Sequence, residues 1–174
     1  MIEVWDRLVR FVHWSVAALV LGNFFNESGE TWHRYAGYLA VALVALRLCW
    51  GFLSTGHARF SRWWPGIRGI LAYLRATSTG KVPRHLGINP AGAAMAVLLW
   101  LLIAALGLTG WMMGLDPFWG EEWLENLHET LAYVVLGCAG IHVAAVVAMS
   151  IRHRENLPKA MLTGKKRASQ AHAD

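Results

Sequence analysis

Four stretches of the chain are long and apolar enough to cross a bilayer, and this limits the fold more than any other feature. They run over Leu8–Phe25, His33–Leu53, Pro90–Met113 and Leu124–Ile151. A hydrocarbon core needs about 20 mostly apolar residues per helix. It offers backbone N–H and C=O groups no water, so a single segment can span it only as a helix. Only 16% of the residues are charged and 56% are hydrophobic, whereas a soluble domain has nearer a quarter charged. The 174 residues fit one domain. The expected fold is all-α: a transmembrane four-helix bundle over residues 1–162, with a basic, mobile tail over 163–174. The first span could be mistaken for a signal peptide, but it carries His13 and ends in GNFFNES without an Ala-x-Ala-like cleavage site.

Basic residues set the orientation. The connection Ser54–Asn89 holds Arg59, Arg62, Arg68, Arg75, Lys81 and Arg84 and no acid, and the segment after Ile151 holds Arg152, Arg154, Lys159, Lys165, Lys166 and Arg167. The other two loops are acidic, with Glu27 and Glu30 in one and Asp116, Glu121, Glu122 and Glu125 in the other. Both termini are therefore expected in the cytoplasm, with the acidic loops in the periplasm of a bacterial inner membrane. The +5 net charge sorts by membrane side rather than into one patch, so nucleic acid is not an expected partner. In RWWPGIRGILAYLRAT, Trp63, Ile67, Ile70, Leu71 and Leu74 repeat at helical spacing with Arg62, Arg68 and Arg75 largely between them. That pattern predicts a short helix lying in the cytoplasmic interface. A basic loop that only enforces topology is the plainer alternative.

Histidines inside apolar helices are costly and mark function by default. His128 and His142 are fourteen residues apart in the last span, nearly four turns or about 21 Å along one face. His13 lies early in span one and His33 at the start of span two. With the orientation above, His33 is level with His128 near the periplasm, and His13 is level with His142 near the cytoplasm. Facing neutral imidazoles supply both axial ligands of a low-spin b-type haem, so the iron can change oxidation state without binding substrate. Two such levels form an electron path across the bilayer. Ordinary interhelical hydrogen bonding explains one buried histidine but not four matched by depth. A zinc site or proton path would want carboxylates beside the histidines; only Glu129 is close, and no His-Glu-x-x-His follows. His57, His85, His153 and His172 fall in loops or tail and read as surface histidines. Cys49 and Cys138 lie within apolar runs, and no Cys-x-x-Cys-His for covalent haem attachment occurs.

Arg47 lies fourteen residues after His33, at the depth of the His13–His142 pair. Haem propionates would pair its charge, and snorkelling to the interface is the alternative. Arg10 and Arg34 sit near interfaces, where basic residues are expected anyway. Gly37, one turn after His33 and on its face, would let a flat macrocycle approach the backbone. Gly107 and Gly110 could do the same or could serve helix packing.

The chain resembles the bacterial cytochrome b561 family, which includes the cytochrome b subunits of nickel–iron hydrogenases. The resemblance covers about residues 4–160. It rests on VWDRLVRFVHW, TWHRYAGYLAVALVALRLCWG, GINPAGAAMAVLLWLLIAALGLTGW and LHETLAYVVLGCAGIH, the last the most specific. It implies a four-helix membrane fold with two b haems, their axial histidines falling on His13, His33, His128 and His142. It also implies oxidation or reduction of membrane quinone and electron exchange with a periplasmic partner. The chain looks closer to the members encoded beside small soluble c-type cytochromes than to the hydrogenase subunits. The leading expectation is respiratory electron transfer between quinone and a periplasmic redox protein such as a c-type cytochrome. One alternative is a superoxide:quinone oxidoreductase acting at the outer haem, although Arg34 is the only outer cation to steer an anion. The other is a haem-bearing membrane anchor of a hydrogenase-like enzyme. A quinone site near PRHLGINPAG would use His85 and Asn89 as hydrogen-bonding groups; Asn89 capping the helix that begins at Pro90 accounts for the same residue.

Overall fold

A computed structural model describes residues 1–26, 31–64, 66–80 and 82–168. Glu27, Glu30, Lys81, His172 and the tail from 169 onward, all used in the charge and histidine arguments above, lie outside the described residues. The described chain is all-helical apart from one two-residue strand pair. Its helices are α1 (Arg7–Phe24), α2 (Thr31–Leu53), α3 (Gly66–Ser78), α4 (Pro90–Met112), α5 (Glu122–Arg152) and α6 (Leu157–Thr163). Side-chain caps account for several starts. Asp6 Oδ1 accepts the Val9 N–H at 2.8 Å, Asn89 Oδ1 the Gly92 N–H at 2.7 Å, and Asn156 Oδ1 the Lys159 N–H at 2.8 Å. Each removes one of the unpaired donors of a first turn. Asn89 is thus committed to opening α4, with Pro90 following as the first helical residue.

α2, α4 and α5 are long and apolar enough to cross a membrane. α1 falls short of them in hydropathy, because Arg7, Arg10, His13 and Asn23 occupy places among its 18 residues. It nevertheless packs lengthwise on α2, α2 packs on α4, and α4 on α5. Ala40, Val44 and Ile103 form the core where these helices meet, with Val16, Leu19, Val20, Val41 and Trp100 around them. Gly107 faces Val41 so closely that any side chain there would collide with it, so this glycine serves the α2–α4 contact. Elsewhere the helices turn apolar side chains outward. Only 6% of the most apolar window of α5 is buried, and Phe52, Ile141, Val143 and Ile151 are all exposed. A soluble monomer rarely exposes so continuous an apolar surface; here lipid is the solvent that it fits.

α3 is the short amphipathic helix expected in the basic connection. Ile67, Leu71 and Leu74 are exposed along it, while Tyr73 is buried. The first residues of the chain pair with a segment near the end of the described residues. Ile2–Glu3 (β1) pairs antiparallel with Lys165–Lys166 (β2), and the Val4 and Trp5 amides donate to the Gly164 carbonyl at 2.8 and 3.1 Å. α6 lies against the start of α1, where Arg10 Nη1 donates to the Leu162 carbonyl and Trp14 Nε1 to that of Met161. Arg84 of the basic connection reaches Glu155 at 2.9 Å and the Arg167 carbonyl at 2.8 Å. The described part of the segment expected to be mobile, 163–168, is therefore held by backbone pairing and by hydrogen bonds of the Arg167 backbone with Arg84 and Glu155 that composition alone does not reveal.

Candidate functional site: two histidine pairs between the helices

Each of the four histidines sits on a long helix, and the packing brings them together in twos. The rings of His33 (α2) and His128 (α5) have centroids 6.1 Å apart, at an interplanar angle of 60°. Those of His13 (α1) and His142 (α5) are 6.3 Å apart, at 54°. Because His128 and His142 are separated by nearly four turns of α5, the pairs occupy two levels.

The His33–His128 pair is held from behind. His33 Nδ1 is 2.7 Å from the Asn26 carbonyl oxygen. A carbonyl only accepts, so Nδ1 carries the proton and Nε2 keeps its lone pair. The Asn23 amide donates to the His33 carbonyl at 2.8 Å, fixing the start of α2 against the end of α1. His128 Nδ1 is 2.8 Å from Thr109 Oγ1. The threonine proton is directed to the Ala105 and Leu106 carbonyls, at 3.0 and 3.1 Å, which leaves its oxygen to accept from the ring. Gly110 lets the ring lie against α4: a Cβ there would come within 3.3 Å of His128 Cε1. Sequence reasoning missed Thr109 and the two asparagines. The only signal was a hydroxyl inside the apolar GLTGW segment, and its spacing from His128 says nothing about contact across helices. At the other level, His13 Nδ1 is buried without a hydrogen-bond partner among the described residues.

Two imidazoles facing across about 6 Å leave space for one metal ion bonded to a nitrogen on each side at about 2 Å. Among the described residues no three His, Cys, Asp or Glu side chains cluster to make a protein-only metal site. The donor sets are pairs, the number required by an ion whose remaining ligands come from a macrocycle. With Nδ1–H directed to the Asn26 carbonyl in His33 and to Thr109 Oγ1 in His128, Nε2 would be the nitrogen left for such an iron. The residues fit b haem.

The remaining expected residues divide. Gly37 is open enough that a Cβ would touch only the Asn23 amide, at an ordinary 3.7 Å, so the protein atoms themselves do not demand a glycine. Arg47 is buried at 6% exposure. Its Nη2 donates to the Ala58 carbonyl at 3.2 Å, and its guanidinium lies 5.1 Å from the Phe60 ring centre and 5.6 Å from that of Trp100. Aromatic faces compensate part of the charge, yet Nη1 is buried without a hydrogen-bond partner among the described residues. Arg34 packs on Gly114. His85 is half-buried rather than a plain surface histidine, edge-on to Tyr73 at 5.6 Å. Burial, with the nearby charges of Lys166 and His153, pushes its pKa below the usual imidazole value.

Paired imidazoles on neighbouring apolar helices are the donor arrangement that b-type cytochromes use. The family model described as prokaryotic cytochrome b561 matches residues 4–164, and the chain belongs to that family. No curated protein and no solved structure matches it. Membership implies electron transfer in the membrane through b-type haem.

Proposed function

We propose that the protein holds two b haems, one between His33 and His128 and one between His13 and His142, and carries electrons between membrane quinone and a periplasmic redox protein such as a c-type cytochrome. The observation that carries this reading is the pair of imidazole gaps, 6.1 and 6.3 Å between ring centroids, at two levels of α5. Haem supplies reversible one-electron chemistry at an iron with both axial positions filled. The chain's own residues do the rest. The four imidazoles bind and orient, Asn26 and Thr109 fix tautomers, and Gly37 leaves the backbone of α2 open to a flat ligand. Arg47 offers a buried N–H, without a hydrogen-bond partner among the described residues, to a carboxylate such as a propionate.

The orientation rests on charge. With α1 as the fourth span, the basic connection and the paired termini face the cytoplasm, and the His33–His128 level faces the periplasm of a bacterial inner membrane. The acidic residues Asp116, Glu121, Glu122 and Glu125 then suit a basic face on the redox partner. The test is the pyridine haemochrome assay on purified protein. Two haems per chain, fully extracted by acid acetone, are expected; one haem, or haem that stays with the polypeptide, overturns the two-pair scheme.

A further inference from the structure

We infer that Thr109 is a positioning residue that sets the redox potential of the haem held by His33 and His128. The inference rests on the haem reading above. Thr109 is 5% exposed, and its hydroxyl has partners on two helices. The proton goes to the Ala105 or Leu106 carbonyl of its own helix, at 3.0 and 3.1 Å, and the oxygen accepts from His128 Nδ1 at 2.8 Å. Threonine often bonds its own helix in this way. The unusual part is the second bond, which crosses from α4 to α5 and ends on a histidine whose ring centre is 6.1 Å from that of His33. Gly110, next in sequence, keeps the ring against α4, so the bond is held by packing as well as by polarity.

The chemical consequence follows from charge. An acceptor on Nδ1–H draws that proton outward and makes Nε2 a stronger donor to a metal. A stronger donor favours the ferric over the ferrous state, which lowers the potential. His33 has the same kind of support from the Asn26 carbonyl, but a backbone acceptor is not adjustable by side-chain substitution. Thr109 is the side chain through which this level is tuned. His13, on the other level, has a buried Nδ1 with no such partner among the described residues, so the two levels differ in this respect.

The experiment compares Thr109→Val, which keeps the shape and removes the hydroxyl, with Thr109→Ser, which keeps the hydroxyl. Potentials come from optically monitored redox titration of the purified cytochrome. The haem lost in His128→Ala identifies the one concerned. Loss of a ligand's hydrogen-bonding partner typically costs about 10–100-fold in metal affinity or activity, and the lower end of that range sets the scale here. Thr109→Val is expected to shift the ferric/ferrous constant of that haem about tenfold toward ferrous, which is about 59 mV upward for one electron. Its low-spin ferric EPR signal should move as the ring loses its anchor. The other haem should stay put, and Thr109→Ser should retain the wild-type potential. Should Thr109→Val fail to keep that haem while Thr109→Ser keeps it, the hydroxyl again carries the effect. The inference is overturned if Val leaves the potential unchanged, if both haems move together, or if Ser behaves like Val. Wild-type protein without two haems would sink the underlying reading instead.

Discussion

Replacing Glu155 by Gln should release the chain's C-terminal segment. Glu155 is 7% exposed. Its Oε1 receives Arg84 Nη2 at 2.9 Å and the Arg167 amide at 3.2 Å, so one carboxylate joins the basic connection to the strand that pairs with the N-terminus. A hydrogen bond to a charged group contributes about 1.5–3 kcal/mol. The Arg84 side chain is 27% exposed, and that water contact argues for the lower half of the range, about 2 kcal/mol. A loss of that size raises the open population about 30-fold. Lys165, Lys166 and Arg167 are trypsin sites, and cleavage tracks the open population when opening is fast relative to cutting. In detergent-solubilised protein, nicking at these three residues, followed by intact mass, should therefore accelerate about 30-fold in Glu155→Gln. Arg84→Gln should act in the same direction, and the double variant should fall short of the sum because the partners are shared. A change under about twofold in Glu155→Gln would show that the carboxylate does not hold the segment and that its other contacts suffice. The pH dependence has a definite sign. Burial alone would raise the Glu155 pKa, but the hydrogen bond and charge of Arg84, the Arg167 amide and the charge of Lys166 bring it below the usual carboxylate value. The stabilisation is complete above the unfolded-state pKa and is lost as pH falls through the lower folded-state one. The protection factor of the Arg167 amide, its exchange corrected for the intrinsic rate at each pH, should fall only in that acidic window.

Other outcomes follow from the same contacts. His33→Ala and His128→Ala should disturb one and the same haem, and His13→Ala and His142→Ala the other; a redox titration in which His13 and His128 report on the same haem would refute the pairing. Arg47→Gln removes a cation that favours ferrous over ferric iron, so the potential of the His13–His142 haem should fall by about 59 mV, a tenfold change in its redox equilibrium constant, with the other nearly unchanged. No shift would leave Arg47 only its contacts with Ala58, Phe60 and Trp100. Gly51→Ala would drive a methyl into the Phe60 ring, which is itself packed against Phe52, Trp63 and Trp100. Overpacking of this kind costs about 1–3 kcal/mol, readable as a lower thermal midpoint, and an unchanged midpoint would mean that the Phe60 ring yields freely.

Properties that depend on neighbours along the chain were determined by the sequence itself. Apolar runs of about 20 residues specify helices because lipid leaves the backbone no other partner, and α2, α4 and α5 follow those runs. Fourteen-residue spacing placed His128 and His142 on one face of α5 because the helical rise and turn are constant. The pattern of Ile67, Leu71 and Leu74 announced α3 for the same reason, and Asn89 before Pro90 announced the start of α4. α1 was less plain, since its charged and polar residues dilute its hydropathy. Contacts between distant segments were decided only by the tertiary structure. Thr109 meets His128 because α4 packs on α5 with a glycine at the crossing, and no period in either helix encodes that. Phe60 and Trp100 converge on Arg47 from a 3-10 turn and from another helix, giving the guanidinium a partial cage that its depth alone did not suggest. Residues 163–168 read as a loose basic tail because their partners, β1, Arg84 and Glu155, are remote in sequence. Backbone hydrogen bonds to Gly164 and pairing with Ile2–Glu3 hold them; such bonds are open to almost any side chain, so composition carries no trace of them.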